Sequence, residues 1–168
     1  MGPVSATMPI DVPREQAFDF LLDLANRPAF MGRFFSDFHL QRLESRGVDA
    51  TARFRVQHRG LWMETTIVEV QPPFRILERG RGSRLGRMPV HTAWETTGVG
   101  ASACEVKVIH WTEPAHPLDR LAEAAPGLQR WYRRSLAGAL AQLGALLEGG
   151  EATERAAVAG GDRVPGAG

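Results

Sequence analysis

One cysteine and one tyrosine occur in the 168 residues, and Lys107 is the only lysine. A lone cysteine, Cys104, excludes an internal disulfide, so nothing in the chain demands an oxidising compartment. No stretch reaches the roughly 18 apolar residues of a membrane-spanning helix. The opening Met1-Gly2-Pro3-Val4 lacks the charged and apolar regions of a signal peptide, and Ala6 stands where N-myristoylation needs a hydroxyl. The expected location is cytoplasmic. A formal net charge of +1 argues against a dedicated polyanion binder, and no DNA partner is expected. The glycine-rich run Gly80 to Gly86 has the wrong spacing for a dinucleotide loop and lacks the strand-then-helix setting. No phosphate loop and no Gly-x-Ser-x-Gly elbow occur. His110, Glu113 and His116 are close in sequence, but Pro114 and Pro117 bracket a turn there, so no metal and no cofactor are expected.

What remains is an ordinary globular composition, 43% hydrophobic and 23% charged, which predicts one domain with one core. That domain is predicted over residues 1–148. Gly149 to Gly168, poor in large apolar residues, is predicted to be a disordered tail.

The order of periodicities carries the fold. Val4 to Val12 reads as a strand. Pro13 suits a first helical turn, with Asp11 as a nearby cap, and Ala17, Phe18, Leu21 and Leu22 follow at helical spacing. Pro28 to Phe35 reads as a second short helix. The period then changes to two, predicting strands over Phe38 to Ser45, Thr51 to His58, Leu61 to Val70, Phe74 to Glu78, Met88 to Thr96 and Ala103 to Thr112. Their short connections favour an antiparallel sheet. From Leu118 to Leu147 the apolar spacing is helical, with an interruption at Pro126-Gly127. A closing helix must bury its stripe against the preceding sheet, and a curved sheet with a helix across its mouth encloses a cavity.

The run Ile10-Asp11-Val12-Pro13-Arg14-Glu15-Gln16-Ala17-Phe18-Asp19-Phe20-Leu21-Leu22-Asp23, followed by Asn26-Arg27-Pro28, resembles the SRPBCC superfamily, the START-like, birch-pollen allergen-like and polyketide cyclase/dehydrase proteins. Glu69 to Ile76, the Trp94-Glu95 pair and the closing helix extend the resemblance over Val4 to Glu148. Phe30 departs from it, standing where that superfamily often has Trp. The resemblance implies an α+β helix-grip fold. In it a curved antiparallel sheet of about seven strands surrounds a long C-terminal helix, two short helices follow the first strand, and a hydrophobic tunnel lies between helix and sheet.

The inward sheet face is where chemistry is expected. In-phase with Phe54 and Val56 stands His58; with Val106 and Val108 stand Cys104 and His110; Trp94 shares the phase of Val90 and Thr92. Trp62, Glu64 and Thr66 would share that face if the strand after Gly60 keeps its register, whereas a bulge there would turn Glu64 to solvent. Leu121, Ala125, Leu128, Tyr132, Ala139 and Leu143 form the helix stripe, with Ser135 and Leu136 at its edge. The expected ligand-binding set is Phe54, Val56, His58, Trp62, Glu64, Trp94, Val108, His110, Leu128 and Tyr132. An inward carboxylate such as Glu64 would need an arginine, a histidine or water as partner. For catalysis, His58 or His110 would serve as base and Tyr132 or Arg133 as donor.

Three readings stay open. One is binding or transport of a hydrophobic small molecule (lipid, quinone or polyketide). A second is a polyketide cyclase/dehydrase-like enzyme. The third is a protein or RNA interaction module, with anionic-surface contact through Arg53, Arg55, Arg79, Arg81 and Arg84 on the outer face, where Glu69 and Glu78 would be interspersed as solvated residues.

Overall fold

A computed structural model describes residues 1–57, 60–82, 88–114 and 116–149. The predicted strand at His58, Arg84 in the glycine-rich loop and the predicted tail from residue 150 onward lie outside the described residues. In chain order the elements are β1 (Val4–Ile10), α1 (Arg14–Leu22), a short 3-10 turn (Leu24–Asn26), α2 (Arg27–Met31), β2 (Phe35–Leu40), β3 (Thr51–Val56), β4 (Leu61–Gln71), β5 (Arg75–Gly82), β6 (Met88–Val99), β7 (Ala103–Thr112), α3 (Pro117–Glu123) and α4 (Leu128–Gly149).

The strands form one seven-stranded sheet in the order β1-β7-β6-β5-β4-β3-β2, antiparallel throughout. This is the helix-grip arrangement. From β3 to β7 each strand pairs with its predecessor, as short turns dictate. Only β1 joins out of sequence, against β7, because α1 and α2 carry the chain from one edge of the sheet to the other.

Local chemistry explains the boundaries. Pro13 opens α1 and its carbonyl accepts from Gln16 and Ala17; no side chain caps this helix, so Asp11 does not take the predicted role. Asp23 caps the next turn through the Ala25 N–H at 2.9 Å. The second short helix ends at Met31, earlier than predicted, and Phe35 already belongs to β2. The closing helix is two helices: α3 stops at Glu123, and α4 begins after Pro126 and a left-handed Gly127 (φ 87°). Proline cannot donate to the ladder, and glycine takes the left-handed turn without a Cβ clash. Leu121, predicted on the buried stripe, is therefore 72% exposed, while Leu136, predicted at its edge, is fully buried.

One close approach is set by a missing side chain. A Cβ on Gly80 would fall 1.7 Å from the backbone oxygen of Glu64, so only glycine lets β5 lie this close to β4. No helix among the described residues is long and apolar enough to cross a membrane.

Candidate functional site

The concave face splits into two environments. Toward β1, α4 carries Ala139, Leu140, Leu143 and Leu147 into an aliphatic part of the core with Val4, Ile10 and Val106. Toward β3–β6, the interior is aromatic and contains buried polar groups.

Glu78 is the centre of the second region. It shares the inward phase of Ile76 on β5 and is 5% exposed. Its Oε1 accepts from Arg27 Nη2 at 2.6 Å and from Trp94 Nε1 at 2.9 Å, and its Oε2 accepts from Thr65 Oγ1 at 3.0 Å. Arg27, from the start of α2, is 3% exposed, with its guanidinium 4.4 Å above the Trp94 ring. Burial pulls the Arg27 pKa down, and the charges of Glu78 and then Asp23 oppose that pull. An arginine and a carboxylate out of water need this degree of mutual pairing. The predicted assignment of Glu78 to a solvated outer face is thus corrected: its phase with Ile76, rather than its charge, decides its side.

Beside this pair lies His110, on β7. Its Nδ1 is 3.0 Å from Thr92 Oγ1, and its ring stacks on Tyr132 with centroids 4.9 Å apart. Burial first, then the neighbouring His91, lowers its pKa from 6.5 to about 4, so the imidazole is neutral at pH 7. Two buried nitrogens here have no hydrogen-bond partner among the described residues: His110 Nε2 and Arg27 Nη1.

Both residues line a void of about 30 Å³. Its polar wall is Arg27, Glu78, Thr65, Thr92 and His110, and its apolar wall includes Met31, Phe34, Phe35, Phe38, Phe54, Met63, Trp94 and Leu136. The rings are in contact: Phe35 lies 4.6 Å from Phe54 and 5.2 Å from Phe38. The space admits about one oxygen-sized group, far below the roughly 300–1,000 Å³ of a drug-sized pocket.

Of the predicted ligand-binding residues, Phe54, Trp94 and His110 line this void. Val56, Val108 and Tyr132 are buried on the same face beside it, and Leu128 is half-buried at the start of α4. Trp62 and Glu64 are on the other face. The register pairs Phe54 with Met63, so Met63, Thr65 and Ile67 turn inward while Trp62 and Glu64 stand outward with Arg55 and Arg53. Trp62 lies beneath the Arg53 guanidinium at 4.6 Å. Arg133 is exposed on α4 and cannot serve the interior as a donor. His58 lies outside the described residues.

Sequence reasoning missed Arg27, Glu78, Thr65 and Thr92 as site residues, and Phe34, Phe35 and Phe38 with them. A signal existed for one of them: an inward carboxylate requires an arginine partner, and Glu78 alternates with Ile76. The arginine itself comes from a helix, where strand parity says nothing.

On the outer face the structure places Arg53 and Arg55 on β3 and Arg79 and Arg81 on β5, all exposed, with β4 between the two strands.

A family model described as polyketide cyclase / dehydrase and lipid transport matches residues 1–148. No curated protein matches the chain. Among solved structures, a START superfamily protein from Mycobacterium smegmatis is similar at 13% identity and TM-score 0.65, over 89% of this chain and 99% of that one. The Zhui aromatase/cyclase from Streptomyces sp. R1128 is similar at 15% identity and TM-score 0.65, over 87% and 93%. A conserved protein from Geobacillus kaustophilus is similar at 10% identity and TM-score 0.62, over 88% and 95%. At such identities the likeness is one of fold.

Proposed function

The chain belongs to the polyketide cyclase/dehydrase and lipid transport family, and we propose that residues 1–148 form one domain that binds a hydrophobic small molecule between β3–β6 and the helices α2 and α4. The observation that carries this reading is the pair of buried nitrogens without a partner among the described residues, Arg27 Nη1 and His110 Nε2, in two residues that line a void among aromatic rings. A region built only for stability would be expected to pair them or to replace them with apolar groups.

Uptake requires the apolar wall to part, because the void holds no organic ligand as it stands. β2 is the element to move. It is an edge strand, its pairing with β3 breaks between Ser36 and His39, and Asp37 holds a left-handed φ of 52°. Phe35 precedes that break and Phe38 lies within it, and both supply rings that fill the space.

The test is native mass spectrometry of protein purified from its own host, with titration of an apolar fluorescent dye into the recombinant protein. A retained small molecule and saturable one-to-one dye binding, both lost in a folded Met63→Trp variant, are expected. Absence of both from the wild type overturns the reading.

A cyclase-type reaction, as the name of the aromatase/cyclase describes for that protein, is the second reading. Its base would be His110, the only candidate of the two among the described residues. An imidazole held at about 4 is a weak base at neutral pH, which ranks catalysis below binding. Turnover of a poly-ketone that His110→Ala abolishes would reverse this ranking; turnover that His110→Ala leaves unchanged would exclude the His110 mechanism.

A further inference from the structure

Resting on the binding role above, we infer that the interior site takes an uncharged carbonyl compound and rejects the corresponding carboxylate, with Arg27 Nη1 donating to the carbonyl oxygen.

The argument is one of hydrogen-bond capacity and charge balance. Arg27 already commits Nη2 to Glu78, at 2.6 Å. Its Nη1 is a donor without an acceptor among the described residues, in a residue 3% exposed. A donor so placed calls for an oxygen that can only accept or can accept as well as donate. The void beside it has room for about one such atom, at 30 Å³.

The charges of the surroundings then select among oxygens. The Arg27 cation is matched by Glu78. Asp23, a second carboxylate 7% exposed, adds its own field at Arg27. His110 brings no positive charge at neutral pH. An incoming carboxylate would therefore be a buried anion with no cation left to pair it among the described residues of the lining, the most costly of the available arrangements. A ketone, quinone or ester oxygen satisfies the same donor with no net charge. His110 Nε2, the other unpartnered nitrogen on the void, offers a second polar contact, donor or acceptor according to whether Thr92 gives or takes the proton at Nδ1. The aromatic wall of Phe34, Phe35 and Phe54 suits an unsaturated or aromatic body.

A matched set of probes with one ring system tests this at pH 7.5: 2-acetonaphthone, 2-naphthoate and 2-ethylnaphthalene, titrated into the full chain by calorimetry or dye displacement. The expected order places the ketone about tenfold or more ahead of the carboxylate and roughly fivefold ahead of the hydrocarbon, the increment of one hydrogen bond. In the double variant R27M/E78L, which removes donor and charge together, the ketone should fall to the level of the hydrocarbon. A carboxylate that binds as tightly as the ketone overturns the inference, and so does a ketone no better than the hydrocarbon in the wild type. These wild-type comparisons hold whether or not the double variant folds. If either naphthalene binds while the ranking fails, the binding role survives without the carbonyl preference. If none of the three binds, the proposed function fails with it.

Discussion

The two halves of the concave interior obey opposite rules. Where α4 crosses β1, it meets a strand whose core residues, Val4 and Ile10, are aliphatic, and a Cβ on Gly144 would stand 3.4 Å from the Met8 side chain. Where α2 and the first half of α4 face β3–β6 and the His110 end of β7, a salt bridge, an indole, a threonine and a histidine are buried among rings. One end is closed by shape and needs nothing else. The other spends stability on desolvated charge and leaves two nitrogens unpaired. The difference teaches that a single helix-over-sheet architecture can be aliphatic core at one end and hold buried polar groups at the other.

The contrast can be broken most severely at Glu78. Glu78→Gln leaves Arg27 charged and without its counter-ion, and should cost about 3–5 kcal/mol in denaturant unfolding; R27M/E78L should recover most of that loss. A single variant as stable as the wild type would mean that the pair is not the buried unit described. At the aliphatic end, Leu143→Ala should cost about 2–5 kcal/mol through the cavity it leaves, while leaving ligand binding at the other end unchanged in the folded fraction. Coupling between the two readouts would contradict the division.

The pH dependence sharpens the same comparison. His110 has its folded pKa at about 4 against an ordinary 6.5, so the unfolded chain binds the extra proton first. Its contribution is fully present above pH 6.5 and is lost as the pH falls toward 4, a change of roughly 3 kcal/mol at most. Unfolding curves of His110→Gln should lack this component across that window. Equal slopes for the two proteins would place His110 in contact with water. The smallest effect is expected outside. Trp62→Ala removes a ring lying under exposed arginines and should cost under about 1 kcal/mol without changing binding; a large loss of binding would return Trp62 to the interior.

Arg53 and Arg55 on β3 and Arg79 and Arg81 on β5 share the outer face, with Glu64 of β4 between Arg53 and Arg81. Legibility was uneven for a physical reason. On β3, β6 and β7 a run of apolar residues in one phase marks the inner face unambiguously, so Phe54, Trp94, Val108 and His110 were found. On β4 the competing phases Trp62-Glu64-Thr66 and Met63-Thr65-Ile67 carry similar apolar content. Only pairing with β3 settles which turns inward, and pairing is not local.

Composition and period by themselves determined the element order, the antiparallel pairing and the break at Pro126-Gly127, because each depends on neighbours a few residues apart. The face taken by β4, the meeting of Arg27 with Glu78 across the interior, and the near-complete filling of the space between helix and sheet were decided by the tertiary structure alone. Registers, ion pairs between distant elements and packed volumes are sums over contacts between residues far apart in the chain, and no window of sequence contains them.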